Sequence, residues 1–562
     1  MAEDGSGALG LPGHERTVRS YFDAFSPAPD WADLTSWPPD VFALANLVLD
    51  HTEAYRFVVA PPPRRTWPPL PTWGAEVQAA AGAWRVSVGS GAKPPEFVGR
   101  LWRTVTRLRD VRLADVRSGA AWSLVTALLT LHAIADETCA EVVLRQDSAP
   151  SSFEAQAWEL LQGRGSLSRL SPVRVRIVPK AHLSARGITI RSLSRHLALC
   201  YESVAVRWRA AGRSGAADRS DYRVVLLPWP LAVEADDFRP VPPMSLGNMD
   251  SDLFGFFEFA PAKGFDCRVL ESLLADATGS ADVVDAVVLP EAALSPDAVD
   301  EVEQVLAAHD VSFLIAGVAC RPSADGPGRN YLHFGIRGDG GWAHYEQDKH
   351  HRWALDERQI RQYHLTRSLD VKKLWWEAID IRERTLHVIE MGGGMTTTPL
   401  VCEDLARLDE VADLVRRIGP SLVVAVLLDG PQLATRWPCR YASVIADDPG
   451  SAVLTLTSIG MAERSLPPGR PPSRVVAHWN NPEEGATEIE LAPGAAGVLI
   501  SMTVEGSTLW TADGRRHQDV PRLKLVGLRQ LRPGRTDSLE ARHDRAAGRR
   551  RSATRGAATR EM

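Results

Sequence analysis

Three strand-like runs in the second half of the chain each lead to a side chain capable of covalent or proton-transfer chemistry. Ala286-Val287-Val288-Leu289-Pro290 ends at Glu291, Trp342-Ala343-His344-Tyr345-Glu346-Gln347-Asp348 leads to Lys349, and Pro399-Leu400-Val401 ends at Cys402. A thiol is a weak nucleophile near neutral pH unless a base takes its proton or its pKa falls. A carboxylate can be that base, and an ammonium group can stabilise negative charge that builds on a polarised carbonyl. Singly, each residue has a plainer explanation: a helix N-terminal charge for Glu291, a surface lysine for Lys349, a small buried hydrophobe for Cys402. Together, at the ends of buried strands of one domain, they can converge. The stretch Thr398 to Leu405 is read as a strand followed by the start of a helix, which puts Cys402 beside free backbone N–H groups that favour a thiolate.

The elements that must position these residues begin near Tyr222. Runs of Val, Ile and Leu separated by amphipathic segments, from Tyr222–Leu227 through Leu523–Leu528, predict an α/β domain with buried sheets. Upstream the periodicity is helical: Pro39 to Asp50, Glu76 to Asp147 with Trp84, Trp102 and Trp122 in a core, Phe153 to Gln162, and Thr189 to Ala211, with one short strand at Val173 to Val178. His132 and Asp136 lie four apart on the most apolar of these segments and are read as a satisfied core pair. The Pro-rich stretch Ala60 to Trp73 excludes a helix and predicts a strap whose tryptophans pack on their own domain. The expected organisation is a flexible leader at 1–30, a mainly helical domain of unassigned role at 31–217, an α/β domain at 218–531 and a disordered Arg-rich tail at 532–562.

Leu-Pro-Glu, a lysine after a Tyr-containing hairpin, then Val-Cys-Glu-Asp, in this order, resembles the nitrilase (carbon–nitrogen hydrolase) superfamily over about Tyr222 to Leu531. Gly317, Asn330, the turn Gly338-Asp339-Gly340-Gly341, Asp404 two residues after the cysteine, Trp437 with Arg440-Tyr441-Ala442, and Thr457-Ser458-Ile459-Gly460 extend the likeness. The resemblance implies an α-β-β-α sandwich, a Glu291–Lys349–Cys402 triad and a thioester intermediate. It also implies a supporting role for Glu357, eight residues beyond Lys349, in orienting the lysine, and one for the backbone N–H of Glu403 as half of an oxyanion site. Departures exist: Asp348 to Trp353 lacks the usual Lys-x-His-Leu-x-Pro run, and Leu365 to Arg384 looks like an insertion.

The activity implied is hydrolysis of a non-peptide amide, or a nitrile, with no metal or organic cofactor and with homodimers or higher oligomers. The alternative is a catalytically inactive or regulatory nitrilase-like binding module, a setting that includes bacterial defence systems. No substrate-binding residue is readable. A length of 562 residues suggests two to four domains, and 44% hydrophobic against 24% charged residues is the balance of a folded protein. A net charge of -6 gives no overall attraction to nucleic acid, leaving weak contact by the basic tail. No apolar segment is long enough for a membrane span and nothing in Met1 to Gly7 reads as a secretory signal, so a cytoplasmic protein is expected. The six cysteines are scattered without a CxxC pair, which gives neither a zinc motif nor a disulfide framework.

Overall fold

Runs of Val, Leu and Ala in the second half of the chain, joined by the strand Ala205–Arg209, build two seven-stranded sheets whose central strands are buried along their whole length. The computed structural model describes residues 16–25, 30–140, 142, 152–170, 175–183, 187–201, 204–209, 220–242, 250–279, 283–323, 326–392, 394–407, 411–465 and 472–534. Most of the expected leader, the boundary at Arg213–Asp218 and the tail from 535 onward lie outside these residues.

The first sheet has the order Gly341–Asp348, Arg329–Gly338, Phe313–Cys320, Ala286–Leu294, Asp221–Leu226, Gly497–Trp510, Arg516–Leu531. The second has the order Gly485–Glu490, Val475–Asn481, Ala452–Thr457, Leu422–Leu427, Met395–Val401, Thr385–Gly392, Ala205–Arg209. Each is parallel at its centre, where the strands ending near Glu291 and Cys402 sit. Val224, Val288, Phe334 and Ile315 of the first sheet share one core with Val401, Val424, Leu454 and Trp479 of the second, so the sheets pack face to face. The outer face of the first sheet is covered by helices Cys267–Thr278 and Pro296–Ala308. The outer face of the second sheet is covered by helices Val411–Ile418 and Trp437–Asp447 and by the N-terminal helices, all within one continuous core. The result is two facing sheets with helices on their outer faces, within the α/β domain with buried sheets that the strand and helix pattern predicts.

The N-terminal helices surround Trp122–Thr138, which is buried from Ala127 to its end. Trp84 and Trp102 are core residues, whereas Trp122 is only partly buried at the helix start. His132 is held by Asn46 (3.2 Å) and stacks on Phe42, while Asp136 accepts the N–H groups of Arg195, His196 and Leu197. In the Pro-rich strap, Trp67 meets Trp73, which donates to Thr130. A helical reading of Thr189 to Ala211 is wrong: a short 3₁₀ turn at Ile190–Leu193 is followed by strands Leu197–Tyr201 and Ala205–Arg209. The latter pairs in parallel with Thr385–Gly392 and so becomes an edge of the second sheet. Phe254–Phe259 and, within the segment read as an insertion, Leu374–Glu377 join Phe238–Val241 and Ala354–Leu355 in a small four-stranded sheet.

Candidate active site

Glu291 owes its direction to an irregular strand. The ladder between Ala286–Leu294 and Phe313–Cys320 runs regularly through Leu289 and resumes at Leu294 after a register shift, with Ala292 at φ 54°. Such a bulge re-aims a side chain, here into an environment where Glu291 is completely buried. Gly317 on the neighbouring strand makes the bulge possible, because a Cβ there would run into the Glu291 Cα, the Pro290 carbonyl and the Ala292 nitrogen.

Lys349 follows the strand Gly341–Asp348, and its backbone N–H donates to the Asn330 carbonyl at 2.9 Å. Its ammonium donates to Glu291 Oε1 and to Glu377 Oε2, both at 2.7 Å. Asn330 bridges the same two carboxylates, its amide donating to Glu291 Oε1 (2.8 Å) and Glu377 Oε1 (2.6 Å). The remaining oxygen of Glu291 accepts the Leu428 N–H at 2.7 Å, and Glu377 Oε2 also accepts the Trp353 N–H at 3.2 Å. Burial by itself would drive the lysine towards neutrality, but Glu291 and Glu377 together outweigh it and hold the ammonium charged well beyond its ordinary pKa. Burial raises the Glu291 pKa, Lys349 draws it back, and Glu377 pushes it up again.

The carboxylate that completes this arrangement is Glu377, not Glu357. Glu357 opens the helix Glu357–Gln362, is exposed, and pairs with Arg361 at 2.9 Å. Solvent lies on that side of the helix, so eight residues of chain do not bring it back to Lys349. The segment read as an insertion does: the strand Leu374–Glu377 alternates part-buried and buried positions, which turns Trp375 and Glu377 inward. The inward glutamate in Leu-Trp-Trp-Glu is the signal that could have found it.

Cys402 is the first residue beyond the strand Met395–Val401 and has φ 43°, an unusual conformation for a residue with a Cβ. A four-residue 3₁₀ turn, Cys402–Leu405, takes the place of the expected helix start, and the next described helix is Val411–Ile418. The N–H of Glu403 is in the first turn of this 3₁₀ segment, where an amide has no acceptor within its own helix. Burial raises the Cys402 pKa well above the ordinary thiol value, with Glu291 adding to the rise and Lys349 opposing it. The resting sulfur is therefore an S–H that requires a base.

Further contacts fix the loops around these groups. Asp404, fully buried, accepts the His350 N–H (3.2 Å) and binds His351 Nδ1 (2.9 Å), tying the segment after the lysine to the turn after the cysteine. Gln347 donates to the Pro399 carbonyl at 2.9 Å and accepts the His387 N–H at 3.0 Å, bridging the two sheets beside the same loops. His350 itself is spent on the Thr385 carbonyl. Asp429, at the end of the strand next to that of Cys402, is bound by Tyr363 and by Arg436 (2.6 Å), and its Oδ2 is buried without a hydrogen-bond partner. Cys439 donates to the Gln432 carbonyl and stays apart from the charged cluster. A cavity lined in part by Ala292, Asn330, Glu377, Leu428, Phe257 and Phe259 opens against the residues that bind Glu291. Among the described residues no helix is long and apolar enough to cross a membrane.

No protein-family profile matches the chain, and no curated protein sequence does. Solved structures of the nitrilase, or carbon–nitrogen hydrolase, superfamily are similar to about half of it. Saccharomyces cerevisiae Nit3, a member of branch 10 of that superfamily, is 13% identical with a TM-score of 0.29, over 50% of this chain and 89% of that one. XC1258 from Xanthomonas campestris, a CN-hydrolase superfamily protein, is 16% identical with a TM-score of 0.28, over 50% of this chain and 90% of that one. The C. elegans NitFhit protein is 12% identical with a TM-score of 0.31, over 48% of this chain and 61% of that one.

Proposed function

We propose that the α/β part of this chain is a nitrilase-type α-β-β-α sandwich that hydrolyses the C–N bond of a non-peptide amide, or of a nitrile, through a thioester on Cys402. The observation that carries the reading is the buried Glu291–Lys349–Glu377 cluster, hydrogen-bonded at 2.7 Å on both sides of the ammonium, beside a cysteine whose thiol needs a base.

In this mechanism the Glu291 carboxylate accepts the Cys402 proton as sulfur attacks the carbonyl carbon. Charge that builds on the substrate oxygen is met by the Lys349 ammonium and the Glu403 N–H. Glu291, now protonated, returns its proton to the leaving nitrogen, and ammonia or an amine departs. It then accepts a proton from the water that attacks the thioester, which yields the carboxylic acid and restores the thiol. Glu377 has a distinct task. During the half-cycle in which Glu291 is neutral, it remains the anion that keeps Lys349 charged. The chain's own side chains account for every proton moved.

One observation favours the second reading, an inactive or regulatory binding module: the side chains of Glu291, Lys349 and Cys402 are all closed to solvent. Replacement Cys402→Ala separates the two. Amides screened for ammonia release yield substrates whose turnover is lost in Cys402→Ala; survival of every wild-type activity in that variant refutes the hydrolase. Alkylation by iodoacetamide at Cys402 no faster than at Cys139 supports the binding module.

A further inference from the structure

A second cluster of chemistry-bearing side chains lies where the long hairpin of the antiparallel strands Gly497–Trp510 and Arg516–Leu531 meets the N-terminal helices. Glu137 stands in the last turn of the helix Trp122–Thr138, His196 just before the strand Leu197–Tyr201, and His517 at the start of the strand Arg516–Leu531. His196 Nε2 is 3.6 Å from Glu137 Oε2, and His517 Nε2 is 3.6 Å from Glu137 Oε1. The two imidazole rings are 5.7 Å apart and steeply inclined to each other. One donor atom from each residue falls within 4.8 Å of the other two.

These separations are too long for hydrogen bonds. The separation of His196 Nε2 from Glu137 Oε2 approaches the spacing of about 3.4 Å between donor atoms that sit 2.0–2.1 Å from a common tetrahedral ion. His517 is nine-tenths buried, with its side chain 10% exposed, and its Nε2 has no hydrogen-bond partner. A buried polar nitrogen left in that condition is uncommon and costs stability unless something binds it. The donors are also held in place from behind. The N–H of His196 is fixed on Asp136 Oδ1 at 2.8 Å, and Arg515 donates to Glu137 Oε1 at 2.6 Å and to Asp136 at 3.1 Å. Arg515 thus occupies one oxygen of Glu137 and leaves Oε2 to a ligand, in the manner of an outer-shell donor on a metal-bound carboxylate.

We infer that Glu137, His196 and His517 form a binding site for a divalent transition-metal ion of the zinc class, which fastens the tip of the long hairpin to the N-terminal helical region. Two imidazoles and a carboxylate suit zinc, with a water completing the tetrahedron. The site lies on elements other than those that carry Cys402 and does not depend on how that cysteine is read.

The test uses the full-length protein, stripped with dipicolinate and titrated with Zn²⁺ against a chromophoric chelator. The wild type is expected to bind one equivalent that His196→Gln and His517→Gln each lose. His344→Ala, in the separate Glu303–His333–His344 group, is expected to retain it. Zn²⁺ should raise the wild-type melting temperature and leave those of the two glutamine variants unchanged. X-ray absorption on the wild-type zinc protein reads the site without any substitution, and nitrogen and oxygen ligands without sulfur are expected. Absence of a bound equivalent in the wild type, its retention in both glutamine variants, its loss in His344→Ala, or sulfur in the first coordination sphere overturns the inference.

Discussion

Replacing Glu377 by Gln isolates the charge that makes a buried lysine tenable. The substitution is nearly isosteric, yet it removes the anion on one side of Lys349 and leaves a site that has to serve two donors at once. Lys349 and Asn330 each donate to a different oxygen of Glu377, at 2.7 and 2.6 Å. An amide offers one oxygen, so its NH₂ must face one of them. Hydrogen bonds to charged groups contribute about 1.5–3 kcal/mol, and breaking a buried pair costs about 3–5 kcal/mol. The expected loss of stability is therefore a few kcal/mol. If about 3 kcal/mol of it also appears in the transition state, where Lys349 meets the oxyanion with Glu291 protonated, kcat/KM falls on the order of 100-fold. The pH profile supplies a signed test. Glu377 is one of the groups that raise the Glu291 pKa, and activity requires Glu291 deprotonated, so the acid limb of kcat/KM should move to lower pH in Glu377→Gln. Glu357→Gln, on a surface residue paired with Arg361, should change stability by less than about 0.5 kcal/mol and leave the profile alone. Thermal melts and ammonia-release kinetics on both variants decide. A near-silent Glu377→Gln beside a crippled Glu357→Gln would refute the reasoning.

Four other outcomes are expected. Gly317→Ala should lower stability by about 1–3 kcal/mol through overpacking and displace Glu291, reducing turnover with it. Gly340→Ala, where an added Cβ meets nothing within 4 Å, should be nearly neutral in the same melts. Asp404→Ala should release both histidine-bearing residues after Lys349, cost about 1–3 kcal/mol in denaturant titration, and lower kcat more than it raises KM. The His132 pKa is lowered to about 3 by burial, so the unfolded chain binds its proton in preference between about 3 and 6.5. Stability should fall as pH is lowered through that window, by on the order of 3 kcal/mol at pH 4 for this group, and His132→Leu should flatten the slope measured by melts across the range.

The parts of the fold that could be read directly are those where local pattern and burial agree. The runs ending at Glu291 and Cys402 are strands buried along their whole length, whereas the one leading to Lys349 is a largely exposed edge strand whose register comes from pairing with Arg329–Gly338. Leu197–Tyr201 and Ala205–Arg209 deceived because short apolar runs fit either period. Only pairing with Thr385–Gly392 decides for a strand, and that partner is some 180 residues away. Val475–Asn481 escaped because His478 and Trp479 interrupt the aliphatic signature of a buried strand. Within the site, chain order brought out the acid, the amine and the thiol. Glu377 was hidden because its role depends on a returning loop, and sequence proximity favoured a glutamate that the helix turns towards water.

The edge strand Ala205–Arg209 has a practical meaning for dissection of the molecule. A polypeptide beginning at 218 would lack the partner of Thr385–Gly392 and would expose Leu386, Val388, Leu400 and Val423, which share a core with the N-terminal helices. Open backbone donors and acceptors beside uncovered aliphatic side chains invite self-association. The upstream region thus acts as a fitted cover for the sheet that carries the cysteine, and a fragment deprived of it would report its own aggregation before any property of Glu291, Lys349 or Cys402.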